Sequence, residues 1–349
     1  MAYGMRLLLF TLLLGGAALP AAAENPPTAE QVLAVFDEAE RTELLRGEIV
    51  AKARTEQETA KTALAVTTAL WVPGRVREVA ERLRAISLLQ AKQDGARKHA
   101  IRGAVKGDGQ SAAFREVRFT EAGEIEALLA AAPGDKFNLS TEEIELFRTL
   151  AAGVSGKPAA VQADAVNATY RRVLENRYLA YSKGGLAALK PYARDKGGQT
   201  SPGQELAATT ESMVVLTRHF PAFFKAYRHY PKNQAKSYQH EFVWVRQIEG
   251  DRPLYSLEHD MTEVTDRYAL IAARLFYVGH TLNTLQVGIL CLPYRDGTLV
   301  GLANQAFIEQ IGRMDSSIAR GIGHMKLEGR VKPLFEVLQA QYRGKAAGR

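Results

Sequence analysis

Three histidines, His240, His259 and His280, fall on successive predicted strands in the last third of the chain. Neutral imidazoles are common metal ligands and general bases, so two or three of them together could bind a metal or move protons. Hydrogen bonding inside a pocket or core and exposure at the surface are the alternatives. A register slip of one residue would place His240 and His259 on opposite faces. The sequence therefore predicts no metal site and no cofactor.

A hydrolytic site would need a hydroxyl group beside one of these histidines. Ser256, Tyr277 and Thr281 are the candidates, with His259 or His280 as the general base. Spacing alone does not bring these groups together in space. No Gly-x-Ser-x-Gly motif or phosphate-binding loop occurs, so catalytic residues stay unassigned.

Arg274 lies in an apolar segment that is predicted to form a strand. If its side chain points inward, the guanidinium needs a carboxylate or the anionic group of a ligand, because an unpaired buried charge is costly. Outward projection into solvent is the alternative.

The elements of residues 24–136 begin with an amphipathic helix over 29–45. Strands at 47–53 and 62–72 follow, and the second of them leads directly into a helix at 76–86. Beyond this helix the glycine-rich, polar sequence predicts loops between short strands.

Residues 137–232 are predicted to form a helical insertion. A long helix over 161–189 is expected to bend at Gly184–Gly185. A second helical stretch covers 205–230, where Pro221 marks a kink or a break.

Residues 233–349 change to an alternating pattern that predicts antiparallel strands. The strands are expected at 238–247, 252–262, 268–280, 284–292 and 298–307. Residues 268–278 could equally form a helix on propensity. A closing helix from Asp315 onward is expected to have an irregular first half, because Gly321, Gly323 and Pro333 interrupt it.

The first 23 residues resemble a secretory signal peptide. Arg6 precedes a short apolar run, Leu7–Leu14, and the alanines 21–23 suit a signal peptidase. We therefore expect a periplasmic or secreted protein. An uncleaved membrane anchor is the alternative, although the run is short for a membrane span.

Composition indicates a folded globular chain, with 46% hydrophobic and 24% charged residues among 349. The formal net charge is +7, and it becomes +6 when Arg6 is removed with the signal peptide. Anionic membrane surfaces are a possible peripheral partner of such a chain. The basic residues are dispersed, so nucleic acid is not an expected partner. The lone Cys291 excludes an internal disulfide and is expected to be buried.

The order of strand, helix, strands, antiparallel run and long closing helix resembles the START-like, or SRPBCC, helix-grip fold. Residues 47–87 and 236–345 carry this resemblance, and three local segments are also similar to uncharacterised secreted bacterial proteins. These segments are Leu45–Ala51, Pro253–Asp260 and Arg274–His280. The predicted fold class is thus α+β, with a curved antiparallel sheet gripping a C-terminal helix and a mainly helical insertion.

The resemblance implies a cavity between sheet and closing helix that takes an apolar or amphipathic small molecule. A solid core packed from the same side chains is the alternative. We expect the inward-facing positions to include Val287 and Leu338. The predicted ligand-binding residues are Tyr255, Leu257, His259, Met261, Arg274, Phe276, Val278, His280, Leu334 and Phe335.

Three functions remain open at this point. The first is a periplasmic binding protein for an apolar or amphipathic molecule such as a lipid. The second is an enzyme that uses histidine acid or base chemistry in the same cavity. The third is an envelope interaction protein that has no ligand.

Overall fold

An antiparallel sheet of eight strands organises the part of the chain that the structure, a computed structural model, describes. These residues are 25–86, 97–100, 112–312 and 317–346, so the predicted signal peptide lies outside them. No helix within these ranges is long and apolar enough to cross a membrane.

The eight strands run in the order β1-β2-β10-β9-β8-β7-β6-β3, and β4 and β5 form a separate small hairpin. Their bounds are β1 Val50–Ala53, β2 Ala63–Val72, β3 Arg97–Ala100, β4 Tyr192–Ala193, β5 Gln199–Thr200, β6 Gln239–Glu249, β7 Arg252–Val264, β8 Ala269–Val278, β9 Thr284–Tyr294 and β10 Gly297–Phe307. The predicted strands that correspond to β1, β2 and β6–β10 are thus confirmed. Strand β2 from the N-terminal part pairs directly with β10 from the C-terminal part.

The segment 269–278, which could have formed a helix on propensity, is strand β8. It pairs with β7 on one side and β9 on the other, and all of its residues are buried. A strand covered on both faces favours apolar residues on both, and β8 is apolar at every position except Arg274, which explains why this segment lacks the usual alternation.

Helices cover both faces of the sheet. Their bounds are α1 Ala29–Leu33, α2 Glu38–Leu45, α3 Val76–Arg84, α4 Ala122–Leu129, α5 Thr141–Val154, α6 Ala159–Gly184, α7 Pro202–Ser212, α8 Val214–His219, α9 Pro221–Arg228, α10 Glu309–Gly312 and α11 Ser317–Ala346. Helices α3 and α11 pack on the first face. The second face is covered by α1, α2 and all helices from α4 to α9.

Three expected helices are shorter than predicted. The opening helix divides into α1 and α2, because Asp37 caps a new helix by accepting from the Glu40 backbone N–H. Helix α6 ends at Gly184 and does not continue beyond a bend. The stretch 205–230 forms α7, α8 and α9, and Pro221 is the first residue of α9.

Gly185 ends helix α6 because of a close backbone approach. Its φ is +61°, and a Cβ at this position would lie 1.8 Å from the carbonyl oxygen of Tyr230. Only glycine fits such a contact. The end of α6 is therefore held against the segment that follows α9.

Helix α11 is continuous, so the expected irregularity of its first half is not observed. A Cβ on Gly323 would lie 2.7 Å from Leu64 Cδ1. This glycine therefore lets the helix approach β2 closely. Further along α11, Leu334, Phe335 and Leu338 are buried against the sheet.

Truncation of the buried face of α11 tests this packing. We expect Leu338→Ala to lower the free energy of unfolding by about 2–5 kcal/mol, because it removes a fully buried side chain. On the same helix, Ile322 is 44% exposed, and Ile322→Ala should change stability by less than about 0.5 kcal/mol. Denaturant unfolding of both variants measures the difference. Equal losses would contradict the assigned orientation of α11.

Candidate functional site

Beneath α11, the described side chains on the first face of the sheet pack into one apolar core. A cavity of about 20 Å³ lies there, lined in part by Glu258, Asp260, Ile271 and Leu334. This volume suits about one water molecule. The solid core that was the alternative to a cavity is therefore what the structure shows at this position. Val278, Val287, Leu334 and Phe335 belong to that core.

Most predicted ligand-binding residues face the opposite layer of helices. Tyr255, Leu257 and Phe276 pack with α4, α5 and α6, and Met261 packs with α8 and α9. The expectation that these side chains face α11 is wrong. Since both faces of β7 and β8 are buried and apolar, alternation does not tell which face meets which helix.

His259 and His240 meet on this second face. The register pairs His259 with Phe242, and their rings stack with centroids 4.4 Å apart. Nδ1 of His240 lies 3.0 Å from Nε2 of His259. Tyr181 from α6 completes the chain of contacts, with its hydroxyl 2.7 Å from Nδ1 of His259.

Burial keeps these polar groups uncharged. It lowers the pKa of His259 well below the usual value, and the positive charge of Arg274 and the neighbouring His240 act in the same direction. Burial also lowers the pKa of His240. It raises the pKa of the Tyr181 hydroxyl to about 12. The imidazoles and the phenol are therefore neutral near pH 7.

Arg274 lies directly across from His259 on β8 and is completely buried. Its guanidinium carbon lies 3.6 Å from the ring centroid of Tyr227, which α9 supplies. None of the three guanidinium nitrogens has a hydrogen-bond partner among the residues that the structure describes. The outward orientation is thus excluded. We refer to Arg274, His259, Tyr181, Tyr227 and Tyr230 as the arginine cluster.

Tyr230 connects the arginine cluster to an open cleft of about 680 Å³. Its ring lies 4.5 Å from the ring of His259, and it also lines the cleft. The other lining residues are Lys183, Gly184, Leu186, Ala187, Leu189, Ser201, Gly203, Gln204, Ala207, Arg228, His229, Pro231 and Lys232. Cationic and apolar side chains therefore share this lining, and no carboxylate is among the described residues that form it.

His280 lies apart from the other two histidines. Its Nε2 is 3.1 Å from the carbonyl oxygen of Pro253, so it donates there, and its Nδ1 is 2.7 Å from Oγ1 of Thr281. Thr281 has φ +74°, a strained value for a β-branched residue. Of the predicted hydroxyl partners, Thr281 thus lies beside a histidine, whereas the Tyr277 hydroxyl meets Tyr170 at 3.1 Å.

No group of three or more histidine, cysteine, aspartate or glutamate side chains in the described ranges could hold a metal ion. Cys291 is buried in the core beneath α11, and burial raises the pKa of its thiol to about 12. This thiol therefore stays protonated and is a poor nucleophile at neutral pH.

Sequence reasoning missed Tyr181, Tyr227 and Tyr230, which the helical insertion supplies to the arginine cluster. The aromatic residues concentrated from 220 to 230 are a signal of a buried surface that could have pointed to two of them. It did not indicate which strand that surface would contact.

Two buried groups give the free energy of unfolding opposite dependences on pH. Unfolded His259 binds a proton near pH 6.5 while the folded form stays neutral, so this residue makes stability fall as pH drops below about 6.5. Burial raises the pKa of Glu205 to about 7, although Asn283 and Thr284 donate to it, so folded Glu205 holds a proton that the unfolded form releases. Its contribution to stability is lost as pH rises through 7.

We expect His259→Gln to flatten the rise of stability between pH 5 and 6.5 and Glu205→Gln to steepen it, each by up to about 1.4 kcal/mol per pH unit. Urea unfolding at several pH values measures these slopes. His229→Gln, at an exposed residue of the cleft, is the control and should retain the slope of the parent protein. Shifts of the same sign in the first two variants would contradict the assignment.

Comparison with known proteins identifies no family. None of the protein-family models matches this chain, and no curated protein matches it. Among solved structures, the crystal structure of Ara h 8.0201 matches with a TM-score of 0.21 and 9% identity. The match covers 29% of this chain and 66% of that chain, slightly less than two thirds of its length. The fold is α+β, with a large antiparallel sheet and a C-terminal helix.

Proposed function

We propose that the chain is a periplasmic or secreted binding protein for an amphipathic small molecule. The main support for this proposal is the cleft of about 680 Å³. One of its lining residues, Tyr230, also contacts His259 in the arginine cluster. Sites for small molecules commonly occupy about 300–1,000 Å³ and combine apolar walls with a few polar groups. The cleft has both properties.

We also propose that the sheet and α11 form a helix-grip, START-like frame. Support comes from the strand order, in which β2 pairs with β10 and β3 pairs with β6 at the far side of the sheet. Helices α3 and α11 cover the face between them. The ligand site of this chain would then lie on the opposite face, because the space beneath α11 is filled.

Tyr230 is the group that a ligand must pass. It is half-buried, and its ring contacts Tyr181, His240, Phe242 and His259. Rotation of this one side chain toward the cleft would expose the aromatic walls of the arginine cluster. An apolar chain could then lie against Tyr181 and Phe276, whose rings already stack 4.1 Å apart.

Charge favours anionic ligands at the mouth of the cleft. Lys183 and Lys232 are exposed there, and Arg228 is paired with Glu211 at 2.5 Å. A concave surface of one sign concentrates oppositely charged molecules. The mouth thus attracts an amphipathic molecule by its anionic end.

A hydrolytic function is the second candidate, because His280 contacts the Thr281 hydroxyl at 2.7 Å and is oriented by the Pro253 carbonyl. In a hydrolase, a hydroxyl nucleophile, a histidine base and a group that orients the histidine are arranged in this way. Here they would be Thr281, His280 and the Pro253 carbonyl. Neither Thr281 nor His280 lines the large cleft, which favours binding as the function. Hydrolysis of p-nitrophenyl butyrate that is lost in folded Thr281→Val would support the enzyme instead.

Extraction of the purified mature protein with organic solvent, followed by mass spectrometry, tests the binding function. We expect a stoichiometric amphipathic molecule in the extract. In Ala207→Trp the indole fills part of the cleft, so the affinity should fall at least about tenfold, a loss of about 1.4 kcal/mol, and less ligand should be extracted. Ala340→Trp, at an exposed position of α11, is the matched control and should retain the ligand. An empty extract from the parent protein would contradict the proposal and favour a ligand-free role.

A further inference from the structure

Arg274 is an exception among the buried arginines of this chain. Arg177 is also buried and lies over a tyrosine ring, but its Nη2 contacts a carboxylate oxygen of Glu143 at 2.5 Å. Arg194 donates to the side-chain oxygens of Asn138 and Asn283 at 2.8 Å each. Arg274 has the charge and the tyrosine contact without any hydrogen-bond acceptor in the described residues.

The polar neighbours of Arg274 are already engaged elsewhere. The Tyr181 hydroxyl bonds to Nδ1 of His259, and the Tyr227 hydroxyl donates to the carbonyl oxygen of His259 at 3.3 Å. Gln286, its cross-strand neighbour on β9, exchanges hydrogen bonds with Thr210. The two phenol oxygens keep lone pairs beside Arg274, and the guanidinium partly offsets the rise that burial causes in the pKa of both hydroxyls, but none of the guanidinium nitrogens reaches hydrogen-bond geometry with a described residue.

A guanidinium stays charged in proteins and carries five N–H donors. Contact with the face of a tyrosine ring compensates part of the charge. The ring provides no oxygen or nitrogen acceptor for the N–H groups. A buried charge with no acceptor is costly. An anionic group of a ligand would supply both the acceptors and the opposite charge.

We propose that Arg274 anchors the anionic group of the ligand, a group with two adjacent oxygens such as a carboxylate, while its apolar body lies among the rings of the arginine cluster. This inference rests on the proposed binding function and names the ligand class. The fork of the guanidinium matches such a pair of oxygens with two parallel hydrogen bonds.

The route to Arg274 passes from the cleft by two side chains. Tyr230 lines the cleft and touches His259, and His259 lies directly across from Arg274. Lys183 and Lys232 attract the anion at the mouth, and the neutral His259 offers no competing charge on the way. The anion therefore moves from a hydrated cationic surface to a single buried cation.

The first test compares Arg274→Met with Arg177→Met in ligand-stripped protein. Removal of an unpartnered charge should leave the melting temperature unchanged or raise it. Arg177→Met leaves Glu143 buried without its cation, so the melting temperature should fall by about 5 °C or more. Differential scanning calorimetry measures both. An equal fall in Arg274→Met would show that Arg274 is structural and would overturn the proposal.

The second test measures binding of three probes that share a dodecyl chain: dodecanoate, dodecanol and dodecyltrimethylammonium. By isothermal titration calorimetry, the parent protein should bind dodecanoate about 10- to 100-fold more tightly than dodecanol, as charge-assisted hydrogen bonds allow. Arg274→Met should abolish this preference. Arg274→Lys should retain part of it, because an ammonium keeps the charge without the fork.

Equal affinities of the parent protein for dodecanoate and dodecanol would overturn the anchor while leaving the binding function intact. Failure of all three probes to bind would also overturn it. The ligand extracted from the purified protein then decides the binding function separately, since a neutral or cationic molecule there supports binding without the anchor.

Discussion

Burial of the sheet on both faces is the constraint from which the other features of the structure follow. Helices α3 and α11 exclude water from one face, and the helices from α4 to α9 exclude it from much of the other. Polar side chains that point into these layers from β7, β8 and β9 are therefore cut off from water, so an unmade hydrogen bond there is costly. His259 finds Tyr181 and His240, and Gln286 finds Thr210. Arg274 lies over the ring of Tyr227 and has no hydrogen-bond acceptor in the described part of the chain.

The strands could be predicted from the sequence because their signals are local. Gly250 at the turn between β6 and β7, with φ +67°, allows the hairpin, and alternating residues on either side mark its strands. The direction in which each strand faces could not be predicted in the same way. On β8, apolar residues occupy both faces, so Leu275, on the face of α3 and α11, has the same signal as Phe276, on the face of α6.

Two residues of the candidate site could be predicted from the sequence, but the side chains that contact them could not. His259 and Arg274 were identified because a polar residue on an apolar strand needs a partner. Their partners come from residues far away in sequence: Tyr181 is 78 positions before His259. Contacts of this kind depend on how the insertion packs, which no local pattern specifies. The contact between Gly185 and the Tyr230 carbonyl shows how specific that packing is.

The balance of charge in the arginine cluster decides which ligands suit it. Burial holds His259, His240 and Tyr181 in their neutral forms, so Arg274 is the charge that remains among them. A neutral apolar ligand would extend the apolar surroundings of this charge and leave its N–H groups without acceptors. An anionic ligand brings its own desolvation cost, but it compensates the guanidinium with hydrogen bonds as well as charge. Selectivity at this site therefore follows from the guanidinium N–H groups, for which the described residues provide no acceptor.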